Sequence, residues 1–211
     1  PQFIFKKDSS SPADDDNVGR IYMYGDDDAG NPFEAILIRG ITTDVSNGSE
    51  DSRLEFLTYK AGTQTSTLAL DSGNVGIGTT SPSGQLHISG SDDTDQIIIE
   101  NTDADNDNAP DLVLYRNSSS PADSDELGHI EWRGRNDNSQ DVSYAQIRTV
   151  ARDVSDGTED SRMIQYIMQN GTAVIGFKSD DAEFAINESS VDMDFRVESN
   201  GNANMFFVDG G

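Results

Sequence analysis

Apolar residues in this chain alternate with polar ones or gather in short runs, and Gly, Asn, Asp and Ser interrupt them at close intervals. That is the pattern of strands and tight turns, and no stretch carries a helical period. Strands are predicted over 111–116, 128–135, 142–152, 161–169 and 172–178, with the same set 109 residues earlier. Asn170-Gly171, set between two apolar runs, predicts a hairpin because both residues tolerate positive φ. A further hairpin is expected from Phe195–Glu198 to Phe206–Asp209, around Ser199-Asn200-Gly201-Asn202. Consecutive strands are expected to pair antiparallel. Alternation puts Ala145, Ile147, Thr149 and Ala151 on one side of their strand, matching Ile36, Ile38, Gly40 and Thr42, and predicts that side to be buried. Gln146, Arg148 and Arg152 are expected on the wet side.

The doubling of the strand set reflects a long internal repeat. Ser9-Ser10-Ser11-Pro12-Ala13-Asp14 returns as Ser118-Ser119-Ser120-Pro121-Ala122-Asp123, and the offset holds without a gap from Phe3/Leu112 to Leu54/Met163. A chain that repeats a whole unit extends a surface or a length, whereas catalysis needs one constellation of unlike groups. The expected organisation is a first β unit over 1–72, a Gly-rich connector with linking strands over 73–110, a second β unit over 111–187, and a connector hairpin opening over 188–211. The fold class expected is all-β, with tandem antiparallel meander units.

Composition sharpens this picture. Only 34% of residues are hydrophobic, and 39 acidic residues against 14 basic ones leave a net charge of -25. Mean hydropathy is -0.60. Disorder would explain such numbers, but Phe3-Ile4-Phe5, Ala35-Ile36-Leu37-Ile38, Ile97-Ile98-Ile99 and Met205-Phe206-Phe207-Val208 are β-forming runs bounded by turn residues. The chain reads as folded but thinly cored, which is resolved if identical chains share one core. The fourth strand supports this, since Met163, Ile164, Tyr166, Ile167 and Met168 make both of its faces partly apolar. Nucleic acid is excluded as a partner because Lys and Arg are few and dispersed. No apolar stretch is long enough to span a membrane as a helix. With no cysteine there is neither disulfide nor thiol chemistry. The start lacks an initiator Met and a signal-like segment, so a piece of a longer protein is expected.

Asn74-Val75-Gly76-Ile77-Gly78-Thr79-Thr80-Ser81-Pro82, followed by Leu86-His87-Ile88, resembles a connector of bacteriophage tail fibres, especially those of marine tailed phages. Glu100-Asn101-Thr102-Asp103, Leu114-Tyr115-Arg116-Asn117, Gly128-His129-Ile130 and Gly157-Thr158-Glu159-Asp160 look like the repeat unit of the same fibres. The resemblance covers nearly the whole chain. It implies an elongated homotrimer with a shared core, a shaft linking other tail proteins to a tip that meets a host-surface glycan or protein receptor, and a place on the virion, outside cells. Many such fibres end in a self-cleaving chaperone domain, and the resemblance puts this segment upstream of one.

Asp103, Asp105 and Asp107 alternate with Ala104, Asn106 and Asn108, and such oxygens suit calcium. The stretch 106–110 also looks like a cadherin calcium linker, although matching acidic partners and a cadherin-type connector are missing. A solvated acidic turn is the alternative, and no other cofactor is expected. Asp14-Asp15-Asp16 and Asp26-Asp27-Asp28 are read as charged loops, with a tailspike-like glycan depolymerase as the alternative. His87 and His129 lie in different segments with no cysteine to complete a zinc site. The serines have no partnered histidine, so no enzyme is expected. Glu50-Asp51-Ser52-Arg53 and Glu159-Asp160-Ser161-Arg162 predict a turn plus an exposed ion pair joining neighbouring strands. A calcium-stiffened adhesive filament remains as a further alternative.

Overall fold

The computed structural model describes residues 1–104, 109–199 and 202–208, and among these every regular element is a strand. The chain divides into two compact units, Pro1–Ala104 and Asp105–Gly211.

The first unit is one six-stranded sheet of β1 (Asp16–Asp26), β2 (Pro32–Asp44), β3 (Asp51–Lys60), β4 (Thr63–Asp71), β5 (Asn74–Ile77) and β6 (Leu86–Ile88). Each strand pairs with its neighbour in sequence. All pairs are antiparallel except β5 with β6, which is parallel. The second unit contains β7 (Glu126–Arg135), β8 (Asp141–Asp153), β9 (Asp160–Gln169), β10 (Thr172–Ser179) and β11 (Phe184–Ile186), again paired in sequence order, and a separate hairpin of β12 (Phe195–Ser199) and β13 (Asn202–Val208). Asn170 and Gly171 both have positive φ, 48° and 78°, as the predicted two-residue hairpin requires.

The repeat survives in three dimensions beyond the point where the sequences part. Ile21 pairs with Ile38, and Ile130 with Ile147. β-bulges recur at the same offset, at Asn17/Gly19 and Glu126/Gly128, at Met23/Tyr24 and Trp132/Arg133, and at Thr42/Asp44 and Ala151/Asp153. The correspondence continues through β5 and β11, where Leu70 opposite Val75 matches Ser179 opposite Phe184. The backbone N–H of Gly78 then donates to the Thr67 carbonyl, and that of Asn187 to the Gly176 carbonyl. A bulge bends and twists a strand, so repeating every bulge reproduces the shape of the sheet.

Two expectations are corrected. Residues 97–99 and 111–116 form no strand. Leu114 instead lies against Gly128, and Phe5 against Gly19, where an added Cβ would come within 3.1 Å and 2.9 Å of the respective Cβ atoms. The missing glycine side chains leave notches, and Leu114 and Phe5 sit against them without joining a ladder. Strand-like composition does not by itself supply a pairing partner. The predicted burial of the Ile36/Ile38 side holds only in part, since Ala151 is buried and Arg152 exposed as expected but both sides carry buried residues. Leu37 and Ile41 are buried while Ile36 and Ile147 are exposed, because the opposite side is closed by its own ion pairs. Among the described residues the buried apolar set is Leu37, Ile41, Leu57 and Ala69 in the first unit, with Val150, Ala151, Ile164 and Val174 in the second.

The glycines of the connector meet their own backbone. A Cβ at Gly76 would collide with the Thr79 carbonyl oxygen, and one at Gly78, which has φ +72°, with the Ser89 carbonyl oxygen. Gly76→Ala is therefore expected to open the parallel β5–β6 pair and lower the melting temperature of the first unit by about 5 °C or more. Amide exchange at Val75 and Ser89, whose N–H groups donate to the Gln85 and Ile77 carbonyls, would report the same loss.

Candidate assembly surface and charged clusters

Register places one apolar residue from every strand of the first sheet in a single row: Ile21, Ile38, Phe56, Leu68, Ile77 and Ile88. A second row runs Gly19, Gly40, Leu54, Leu70, Val75 and Leu86. In the second unit the first row reads Ile130, Ile147, Gln165, Phe177 and Ile186. Much of this side is open to solvent on a single chain, with Ile21 43%, Ile77 40%, Ile130 45% and Met163 48% exposed. The apolar segments 3–5, 97–99 and 112–115 are exposed too. Contiguous apolar surface of this kind marks an interaction site in a soluble protein.

The opposite side is charged. Glu55 is 0% exposed. Its Oε2 accepts from Arg39 Nε at 3.0 Å and Nη2 at 2.8 Å, and its Oε1 from Arg53 Nε at 2.6 Å. Cross-strand register sets Arg39 opposite Glu55 and Glu55 opposite Ala69. In the second unit these positions are Arg148, Ile164 and Lys178. The buried charge has thus moved one strand over and changed sign. Lys178 Nζ donates to Glu183 at 2.5 Å and Glu188 at 2.6 Å, and these carboxylates raise its pKa. The expectation for Glu-Asp-Ser-Arg is corrected accordingly. Arg53 pairs with Glu55 beneath the surface, whereas Arg162 Nε is buried without a hydrogen-bond partner because Ile164 stands where the carboxylate would be. Glu55 went unrecognised in the sequence, although the strand alternation Arg53, Glu55, Leu57 was its signal.

The acidic triplets and their repeats hold turns. Asp14 and Asp123 accept from the backbone N–H of Val45 and Val154 at 3.0 and 3.1 Å, tying the Ser-Ser-Ser-Pro-Ala-Asp loop to the next turn. Asp44 and Asp153 each accept from a backbone N–H two residues on, at 2.7 Å. Glu50 and Glu159 take the N–H of Gly48 and Gly157. The Asn31 amide holds the Asp27 carboxyl below its ordinary pKa, and the Lys7 ammonium does so for Asp16. Asp44 is lowered by the backbone N–H and hydroxyl of Ser46, and Asp153 by the hydroxyl and backbone N–H of Ser155. A lowered folded-state pKa stabilises above the unfolded value and is lost as pH falls through the folded one. Amide protection at Ser46 and Ser155 is therefore expected to hold at neutral pH and to fall away below about pH 4, as hydrogen exchange would read.

Of the three candidate calcium ligands, Asp105 and Asp107 lie outside the described residues, and the Asp103 N–H donates to Asn101 Oδ1 at 2.8 Å. Among the described residues no group of three or more His, Asp or Glu side chains is arranged to hold a metal. His129 Nδ1 lies 2.6 Å from Glu126 Oε1, and His87 Nδ1 faces the Ser83 N–H.

Solved structures that share this fold include two of a phage tail fibre. One is the carboxy-terminal domain of the bacteriophage T5 L-shaped tail fibre, with a TM-score of 0.68 and 8% identity over 97% of this chain and 91% of that one. The other is that domain together with its intramolecular chaperone domain, with a TM-score of 0.64 and 7% identity over 98% of this chain and 66% of that one. At such identity the likeness is one of fold. No protein-family model matches the chain, and no curated protein does.

Proposed function

We propose that this chain is a structural segment of a phage tail fibre, of the marine tailed-phage type, whose two β units lengthen a homotrimeric shaft. Its place is on the virion, outside cells, where it joins other tail proteins to a tip that meets a glycan or protein on the host surface. The observation that carries this reading is the exposed pair of apolar rows, which a single chain leaves open to water and which two further copies would cover. The likeness in fold to the T5 tail fibre domain supports it. The internal repeat supports a role in extension, since each added unit adds length without new chemistry. No catalytic role is proposed, because the loop carboxylates with described partners are engaged in holding turns.

Light scattering on the purified chain tests the reading. The expected mass is three times the 22.9 kDa of one chain at moderate salt. Dissociation is expected at millimolar ionic strength, where the -25 charge of each copy is no longer screened within about 10 Å. A single-chain mass at all salt concentrations would overturn it.

A further inference from the structure

The two units share a backbone but differ sharply at one place on the charged side, and there the second unit has a cleft. Tyr144, Gln146 and Arg148 follow at every second residue along β8, and register sets Gln146 opposite Tyr166. With Met168 and Ala173, which pair across β9 and β10, they line a hollow of about 280 Å³. That is just under the range of roughly 300–1,000 Å³ for small-molecule sites, enough for one sugar ring. In the first unit the positions of Gln146 and Tyr166 are held by Leu37 and Leu57, opposite each other and only 4% and 6% exposed. A leucine pair that closes the sheet in one unit has become an amide and a phenol in the other.

Such an exchange is unfavourable unless the new polar atoms are bonded, and these are. Gln146 Nε2 donates to Glu131 Oε1 at 3.2 Å and to Ser143 Oγ at 3.1 Å. Arg148 Nη2 donates to the Tyr166 hydroxyl at 3.1 Å, and its guanidinium carbon lies 5.3 Å from that ring's centroid. One donor is left over. Arg39 Nε holds the Glu55 carboxylate, but Arg148 Nε is buried with no hydrogen-bond acceptor, and Nη1 on the open edge of the guanidinium has only the partly exposed Glu126 carboxylate, 3.5 Å away. A guanidinium matched to a carboxylate thus borders a cleft walled by two aromatic rings.

We propose that this cleft binds an acidic saccharide of the uronate type. The carboxylate is taken by Arg148, because a planar guanidinium pairs with a planar carboxylate through parallel N–H donors. The apolar face of the sugar ring lies on tyrosine, and its hydroxyls bond Gln146 and Ser143. Two tyrosines favour a sugar over an acidic peptide, whose side chain has no flat apolar face to stack. The site lies on one chain and stands whether or not copies associate.

Calorimetric titration of the whole chain with trigalacturonate tests this, with maltotriose as the neutral sugar and triglutamate as the acidic peptide. Trigalacturonate is expected to bind about tenfold or more tightly than either. Arg148→Gln is expected to erase the preference over maltotriose. The double variant Gln146→Leu with Tyr166→Leu is expected to lose binding, with a lower melting temperature because Arg148 gives up the Tyr166 hydroxyl, whereas Tyr144→Ala, which removes an exposed ring that Arg148 does not bond, is expected to keep the melting temperature and weaken binding. Absence of trigalacturonate binding, equal binding of triglutamate, or full binding by the double variant would overturn the proposal.

Discussion

Replacing Glu55 with alanine is expected to lower the stability of the first unit by about 3 kcal/mol, because it leaves the partly buried guanidinium groups of Arg39 and Arg53 without their shared carboxylate. The carboxylate is fully buried and accepts three hydrogen bonds, from Arg39 and Arg53. Removing one partner of a buried ion cluster leaves the others with their full desolvation penalty. Glu55→Ile is instructive, since isoleucine stands at the equivalent position 164. In the second unit Arg148 finds the Tyr166 hydroxyl and lies 3.5 Å from Glu126 instead. The first unit has Leu57 and Asn17 there; leucine accepts nothing and the Asn17 amide oxygen already accepts from Arg20 Nε. Glu55→Ile is therefore expected to be nearly as damaging as Glu55→Ala, and adding Leu57→Tyr to recover part of the loss. Replacing Arg39, Arg53 and Glu55 together by methionine is expected to land near the wild type, as whole buried clusters often do. Urea unfolding would measure all four. An unchanged midpoint for Glu55→Ala would mean that the charge is not closed off from water.

Ile21→Asp with Ile130→Asp is expected to reduce the proposed trimer to single chains. The two positions are equivalent in the repeat, and each begins the apolar row of its sheet, opposite Ile38 and Ile147. On one chain they are already nearly half exposed, so the folded unit loses little, about 0.5 kcal/mol at each surface position. Between copies each change would bury an unpaired carboxylate, a penalty of several kcal/mol per site multiplied over the subunits. The control is Arg20→Asp, one residue along β1 and so on the other side of the sheet, which is expected to leave the mass unaltered. If Ile21→Asp with Ile130→Asp retains the wild-type mass while Arg20→Asp loses it, the charged side is the assembly surface.

The four long strands of each unit, the hairpin at Asn170-Gly171 and the doubling of the chain were determined by the sequence alone, because period-two alternation and turn chemistry act between residues close along the chain. The repeat even carried hidden information, since equal offsets turned out to preserve each bulge. Burial was another matter. Ile36 and Leu37 are both aliphatic neighbours on one strand, and only the long-range pairing that brings Arg39 and Arg53 onto Glu55 decides that Leu37 lies on the closed side. The segments 97–99 and 111–116 have strand composition, yet whether a strand forms depends on a free ladder edge, which is a property of the assembled sheet. The cleft in the second unit likewise needed β8 and β9 set in register before Gln146, Arg148 and Tyr166 could meet, since the two strands fold together only through the turn at 154–159. Local pattern specifies which faces a strand has; only the pairing of distant strands specifies what covers them.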